Sequence, residues 1–109
     1  MLTLLKGLDS TVIAMNEPKA DLNALNEKGR TELAQRAYEL AYHYEGEYGS
    51  CPQAVLSSIQ EVLGIVDDEV IKSGHSLAGG AALSGQGTCG ALVGGIMAIS
   101  CRFGRPRSM

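Results

Sequence analysis

The 109-residue chain has no tryptophan and a single phenylalanine, and four tyrosines complete its aromatic set. Its core must therefore be built from small aliphatics, which Leu, Ala and Val supply within an ordinary apolar share of 45%. Positive charge is scarce as well: nine Lys and Arg against twelve Asp and Glu leave a net charge of −3. That balance argues against nucleic acid as a partner, which needs a basic face. The one basic cluster, Arg102, Arg105 and Arg107, closes the sequence, where it complements a helix C-terminus. No apolar run approaches the roughly 20 residues of a spanning helix, and the stretch 91–99 is too short. Lys6 and Asp9 interrupt the first fifteen residues, which lack the basic region and cleavage site of a signal peptide. These absences predict a soluble, cytoplasmic protein with no membrane insertion.

Cysteine is sparse too. Three cysteines, an odd number at unequal spacing, fit a secreted disulfide scaffold poorly and intracellular thiol chemistry better. Hydrolase signals are lacking, since no nucleophile-elbow pattern surrounds a serine. The glycines of residues 79–95 form no phosphate loop, because no Gly-Lys-Ser/Thr follows them and no strand precedes. At this length the chain makes one small domain with a modest core.

Glycine is what the sequence has in excess. Gly74, Gly79, Gly80, Gly85, Gly87, Gly90, Gly94 and Gly95 crowd into one stretch, with Cys89 among them where the composition turns apolar. Residues 85–87 read as a loop, and Thr88 as the N-cap of a helix over 89–101. Cys89 then falls in a first turn, where free amides and the helix dipole favour an anion. A thiol pKa of about 8.5 can fall to roughly 3.5–7.5 at such a position. Gly90, Gly94 and Ala98 recur at a spacing that lets another backbone approach, which marks this as a tightly packed central helix. Cys101, near its end, reads as a small buried hydrophobe.

Upstream, Leu2, Leu5, Leu8, Val12 and Met15 suggest a short amphipathic helix that stops before Pro18. Residues 1–28 are expected to form a partly helical appendage, and 29–109 the helical domain. Residues 31–45 are the clearest helix, with Leu33, Ala37, Leu40, Ala41 and Tyr44 on one face. Tyr38, Tyr42 and Tyr48 read as core and rim of helical packing in preference to an aromatic box. Ser50 with Gln53 three residues later is a capping-box pattern, and Pro52 suits a first turn. Val55, Ile59, Val62 and Leu63 give this second helix its buried stripe, and Gly64 ends it. Cys51, like Cys89, thus stands at a helix N-terminus. Asp67, Asp68 and Glu69 load the start of a third helix, better as a solvated cap than as a metal ligand set, with a break near Gly74. The fold class expected is all-α, a small bundle of about four to five helices around the glycine-rich central helix.

Residues 49–104 resemble the redox-active family named for its cysteine pattern, C-GCAxxG-C-C. The matching stretches are Ser50-Cys51-Pro52-Gln53-Ala54-Val55-Leu56, Ala78-Gly79-Gly80, and the run from Thr88 to Met97 that carries the signature as Cys89, Gly90, Ala91 and Gly94. The helix over 34–44 also resembles the one preceding the first family cysteine. The resemblance implies a mostly helical protein that uses cysteines in redox chemistry on a substrate not established. Family members continue into a segment with two more cysteines, which this sequence lacks, and Cys101 does not stand in for them. The sequence is expected to be a natural short form, a truncated reading frame or an excised piece.

Three functions compete. The leading one is disulfide exchange or electron transfer by a Cys51/Cys89 pair as the catalytic residues, with no cofactor and with a redox partner protein or a small thiol or disulfide as partner. It expects their Cα atoms within about 7 Å of each other. The second is a metal or iron–sulfur site in which His75, or a second subunit, completes a ligand set with Cys51 and Cys89. No C-x-x-C spacing supports it, and His43 is a weaker candidate still. The third is a non-catalytic helical interaction module. Small size and a glycine face taken as exposed make a homodimer the expected assembly.

Overall fold

The computed structural model describes residues 23–108. The helix expected over residues 2–15 lies outside the described residues. Among the described residues four α-helices follow one another: α1 (Glu27–Tyr48), α2 (Cys51–Leu63), α3 (Asp68–Ser73) and α4 (Gly90–Phe103), with a 3-10 turn at His75–Leu77 before α4. The described residues contain no strand, so the all-α class expected from the sequence is what the chain adopts.

Helix α1 is longer at both ends than its apolar pattern indicates. The Asn26 side chain accepts from the Gly29 amide at 2.8 Å and so caps the helix four residues upstream of the expected start. Its C-terminus closes at Gly49, which takes φ 70° and returns its amide to the Glu45 carbonyl. Leu33, Ala37, Leu40, Ala41 and Tyr44 are half-buried on one face, as their spacing requires. Tyr44 donates a short hydrogen bond to Glu61 on α2, which pins the two helices together and raises the phenol pKa.

The hub of the bundle is α2. Both α1 and α4 pack on it, and α3 joins it more lightly. The sequence had pointed to the glycine helix as the centre, but that helix packs chiefly on α2. Leu56 and Val66 are fully buried and, with Ala98 of α4, make the core, around which Ile59, Ile65, Val70, Ile71 and Met97 close. Two glutamines of α2 staple the segments that follow it. Gln53 Nε2 donates to the Ile71 carbonyl at 3.1 Å, and Gln60 Nε2 to the Val66 carbonyl at 3.0 Å and the Asp68 carboxylate at 2.8 Å. Asp67 caps α3 through the Val70 amide at 3.0 Å, so the acidic triplet serves as a cap. The helix then breaks at Gly74, as expected.

Helix α4 is divided by residue size. Gly90, Gly94 and Ala98 are buried against α2. A methyl group on Gly94 would lie 2.9 Å from the Pro52 carbonyl oxygen and 3.1 Å from Val55 Cβ. The glycine face is thus the packed face, not an exposed one. Leu92, Ile96, Ile99 and Phe103 are the large hydrophobic side chains that α4 leaves in solvent.

Between the 3-10 turn and α4 the backbone runs left-handed through five successive residues, Gly79, Gly80, Ala81, Ala82 and Leu83. Amides of Ala82 and Gly85 bond the carbonyls of Ser76 and Gly79 at 2.7 and 2.9 Å, which holds this turn. Three of the five carry a Cβ, and the left-handed region costs an L-residue roughly 1–2 kcal/mol.

Candidate functional site

The starts of α2 and α4 meet. Cys51 opens α2, and Gly90 opens α4 immediately after Cys89. A methyl group on Gly90 would stand 2.7 Å from Pro52 Cδ and 3.2 Å from Cys51 Cβ, so only glycine admits this approach. The Cys89 charge in turn opposes ionisation of Cys51, as two neighbouring thiols must. Cys89 is exposed and Cys51 half-buried, and neither they nor Cys101 form a disulfide.

The two sulfurs do not have the environments that their helix positions suggest. Thr88 was expected to cap α4, yet Cys89 itself occupies the cap, at φ −54° and ψ 131° and with no side-chain bond to the first turn. Its carbonyl accepts from Val93 at 3.1 Å, and the first helical position goes to Gly90, where close contact with Pro52 demands a residue without a Cβ. At Cys51 the expected lowering of the thiol pKa is overturned. Burial pushes it up first, and the Glu45 carboxylate adds its charge and a hydrogen bond to the thiol. A backbone hydrogen bond, the effect expected to dominate, is the smallest contribution and acts in the opposite sense.

Nothing in the sequence pattern points to Glu45. It lies in the last turn of α1, and the reversal at Gly49 brings that turn back onto Cys51. Ser50 holds the cap position of α2 but makes no capping bond, and its buried hydroxyl has no partner. Gln53, the other half of the supposed capping box, reaches the Ile71 carbonyl and His75 instead.

The remaining candidates stand apart. His75 is exposed on the 3-10 turn, with Nδ1 3.2 Å from Gln53 Oε1. Among the described residues no group of three or more His, Cys, Asp or Glu is placed to hold a metal ion, so His75 does not join the two cysteines in a ligand set. His43 pairs with Glu47 at 2.9 Å. Cys101, expected to be buried, is exposed on the last turn of α4, where partial desolvation and the Asp67 carboxylate raise its pKa. No helix among the described residues is long and apolar enough to cross a membrane.

A groove of about 440 Å³ runs beside Cys51, bounded by α1, α2 and the first turn of α4. Tyr38 and Tyr42 form its rim, with ring centroids 6.5 Å apart and planes 25° from parallel. They are 65% and 76% exposed, so these two tyrosines belong to the rim of the packing and contribute nothing to the core. Their separation by one helical turn was the available signal.

No curated protein and no solved structure matches the chain. A family model does, over residues 49–108, and its description is "putative redox-active protein (C_GCAxxG_C_C)". The matched residues take in the starts of both α2 and α4, with Cys51 and Cys89, and span more than half of the sequence. The chain belongs to the C_GCAxxG_C_C family.

Proposed function

We propose that the protein is a dithiol redox protein in which Cys89 attacks and Cys51 resolves. The observation that carries this reading is the approach of the two helix starts, with Gly90 seated against Cys51. Exposure assigns the order. Cys89 is accessible to a substrate disulfide, whereas Cys51 is half-buried with its thiol held protonated against Glu45.

In the first step the Cys89 thiolate forms a bond to one substrate sulfur, the substrate S–S bond breaks, and the departing thiolate takes a proton from solvent. In the second, Glu45 accepts the Cys51 proton as the Cys51 sulfur attacks Cys89 in the mixed disulfide. A Cys51–Cys89 disulfide forms and the second substrate thiol leaves with a proton. Two electrons pass from the dithiol to the substrate disulfide, and reduction by an external dithiol restores the starting state. The exchange as written needs only the two thiols, the carboxylate and solvent protons.

The test is trapping. Treated with a small disulfide, Cys51→Ser accumulates a stable mixed disulfide on Cys89, because no resolving thiol remains. Cys89→Ser, read by peptide mapping, reacts slowly at Cys51, beside the background reaction of exposed Cys101. An adduct that accumulates on Cys51 in the native protein, with Cys89 unmodified, contradicts the order of attack.

Free thiols of this kind suit a reducing cytoplasm, and we place the protein there. The reading concerns the domain from residue 29 onward. The exposed stripe of Leu92, Ile96, Ile99 and Phe103 on α4 supports pairing of two copies, which light scattering on the eluting species decides.

A further inference from the structure

We infer that the groove beside Cys51 is a substrate site for small uncharged or cationic disulfides that carry an aromatic group, and that it discriminates against anionic ones. The inference rests on the dithiol reading above and adds the class of substrate.

Three observations carry it. The first is size: about 440 Å³ falls within the roughly 300–1,000 Å³ typical of small-ligand sites. Ala41, Gly46, Ala54 and Ala91 line it, and these small residues leave the space open. The second is the rim. Tyr38 and Tyr42 present two nearly parallel rings that no part of the described chain covers, a platform suited to an offset-stacked aromatic ring.

The third is charge and reactivity at one end. Cys51 forms part of the wall, so a group lying in the groove is held next to its sulfur, and Ala91 brings the first turn of α4, two residues past Cys89, into the same lining. Glu45 supplies the only formal charge of the lining among the described residues, and no Lys, Arg or His there offsets it. A substrate bearing carboxylates would bring like charge against Glu45, whereas a neutral or basic ring meets none. Between like charges at a partly exposed site the penalty is a factor of about three to five in affinity.

The test separates binding from chemistry. Cys51→Ser/Cys89→Ser/Cys101→Ser protein, which has no thiol left to exchange, is titrated with dipyridyl ethane, in which two methylenes replace the sulfurs of dipyridyl disulfide. Backbone amide shifts are expected to move at Ala41, Ala54, Val55 and Ala91, and Tyr42→Ala added to that background weakens binding about tenfold. With the native cysteines, exchange rates are measured for neutral dipyridyl disulfide, dianionic dithiobis(nitrobenzoate) and cationic, non-aromatic cystamine, each normalised to a free thiol. The dipyridyl compound is expected to be fastest after normalisation, Glu45→Gln to narrow its lead over the dianion, and Tyr42→Ala to slow it far more than cystamine. Absence of shifts up to millimolar ligand, or shifts confined to residues outside the groove, overturns the inference. So does a normalised order indifferent to Tyr42 and Glu45. Binding without exchange would leave the groove standing and remove the dithiol reading, while exchange without groove effects would do the reverse.

Discussion

Gly90 meets Cys51 with room for a hydrogen and none for a methyl group, the added carbon lying 3.2 Å from Cys51 Cβ and 2.7 Å from the Pro52 ring. Cys89 precedes it directly, so the contact that packs α4 on α2 also fixes how the two thiols stand to each other.

Gly90→Ala is therefore expected to act on stability and chemistry together. Overpacking of this kind costs about 1–3 kcal/mol. The thermal midpoint should fall, and the rate of internal disulfide formation should fall with it. Gly95→Ala, where an added methyl group meets nothing within 4 Å, is the control: helix propensity should raise its thermal midpoint, by about 0.5–1 kcal/mol of stability, and the rate of disulfide formation should not fall.

Glu45→Gln removes the carboxylate that helps hold the Cys51 thiol above its ordinary pKa. The pH profile of Cys51 alkylation, read in Cys89→Ser protein, should move to lower pH, giving faster alkylation near neutrality. Because the folded-state pKa of Cys51 is raised, the native chain holds this proton more tightly than the unfolded one. The associated stability is present below the unfolded thiol pKa and is lost as pH rises through the folded value. Chemical denaturation across that alkaline range should show the loss in the native sequence and less of it in Glu45→Gln. A profile that stays in place would remove Glu45 from the mechanism.

Ser50→Ala distinguishes the pattern from the structure. A working Ser N-cap is worth about 1 kcal/mol. Here the hydroxyl is buried and unpartnered, so its removal should be neutral or stabilising. Gln53→Ala should cost stability instead, since it frees the Ile71 carbonyl and loosens the 3-10 turn at His75. Denaturant midpoints of the two variants settle the matter.

Ala82 is exposed and sits at φ 50° within the left-handed run. Ala82→Gly should stabilise the protein by about 1 kcal/mol, relief of the left-handed strain exceeding the entropy that glycine adds to the unfolded chain. A lower melting temperature for this variant would contradict that geometry.

Much of this fold can be read in the sequence because local chemistry decides it. The α1 stripe from Leu33 to Tyr44, Pro52 in the first turn of α2, the stop at Gly64, the Asp67 cap and the break at Gly74 all follow from short-range preferences. What escapes the sequence depends on long-range contact. Leu56 and Val66 outrank the helical stripe of α2 as core because α3 and α4 both close over that side. The left-handed run includes Ala81, Ala82 and Leu83, whose own preferences oppose it. At the site, the positions of Cys51 and Cys89 at two helix starts were legible. The carboxylate of Glu45 was not, because only the turn at Gly49 carries it to the thiol, where it helps burial raise the Cys51 pKa.

The most direct measurement is peptide mapping by mass spectrometry of the protein after mild oxidation, with all three cysteines intact. A Cys51–Cys89 link formed ahead of any other is the result this account predicts. A bridge that runs only through Cys101, or two thiols that remain unlinked while Cys89 oxidises alone, would contradict it.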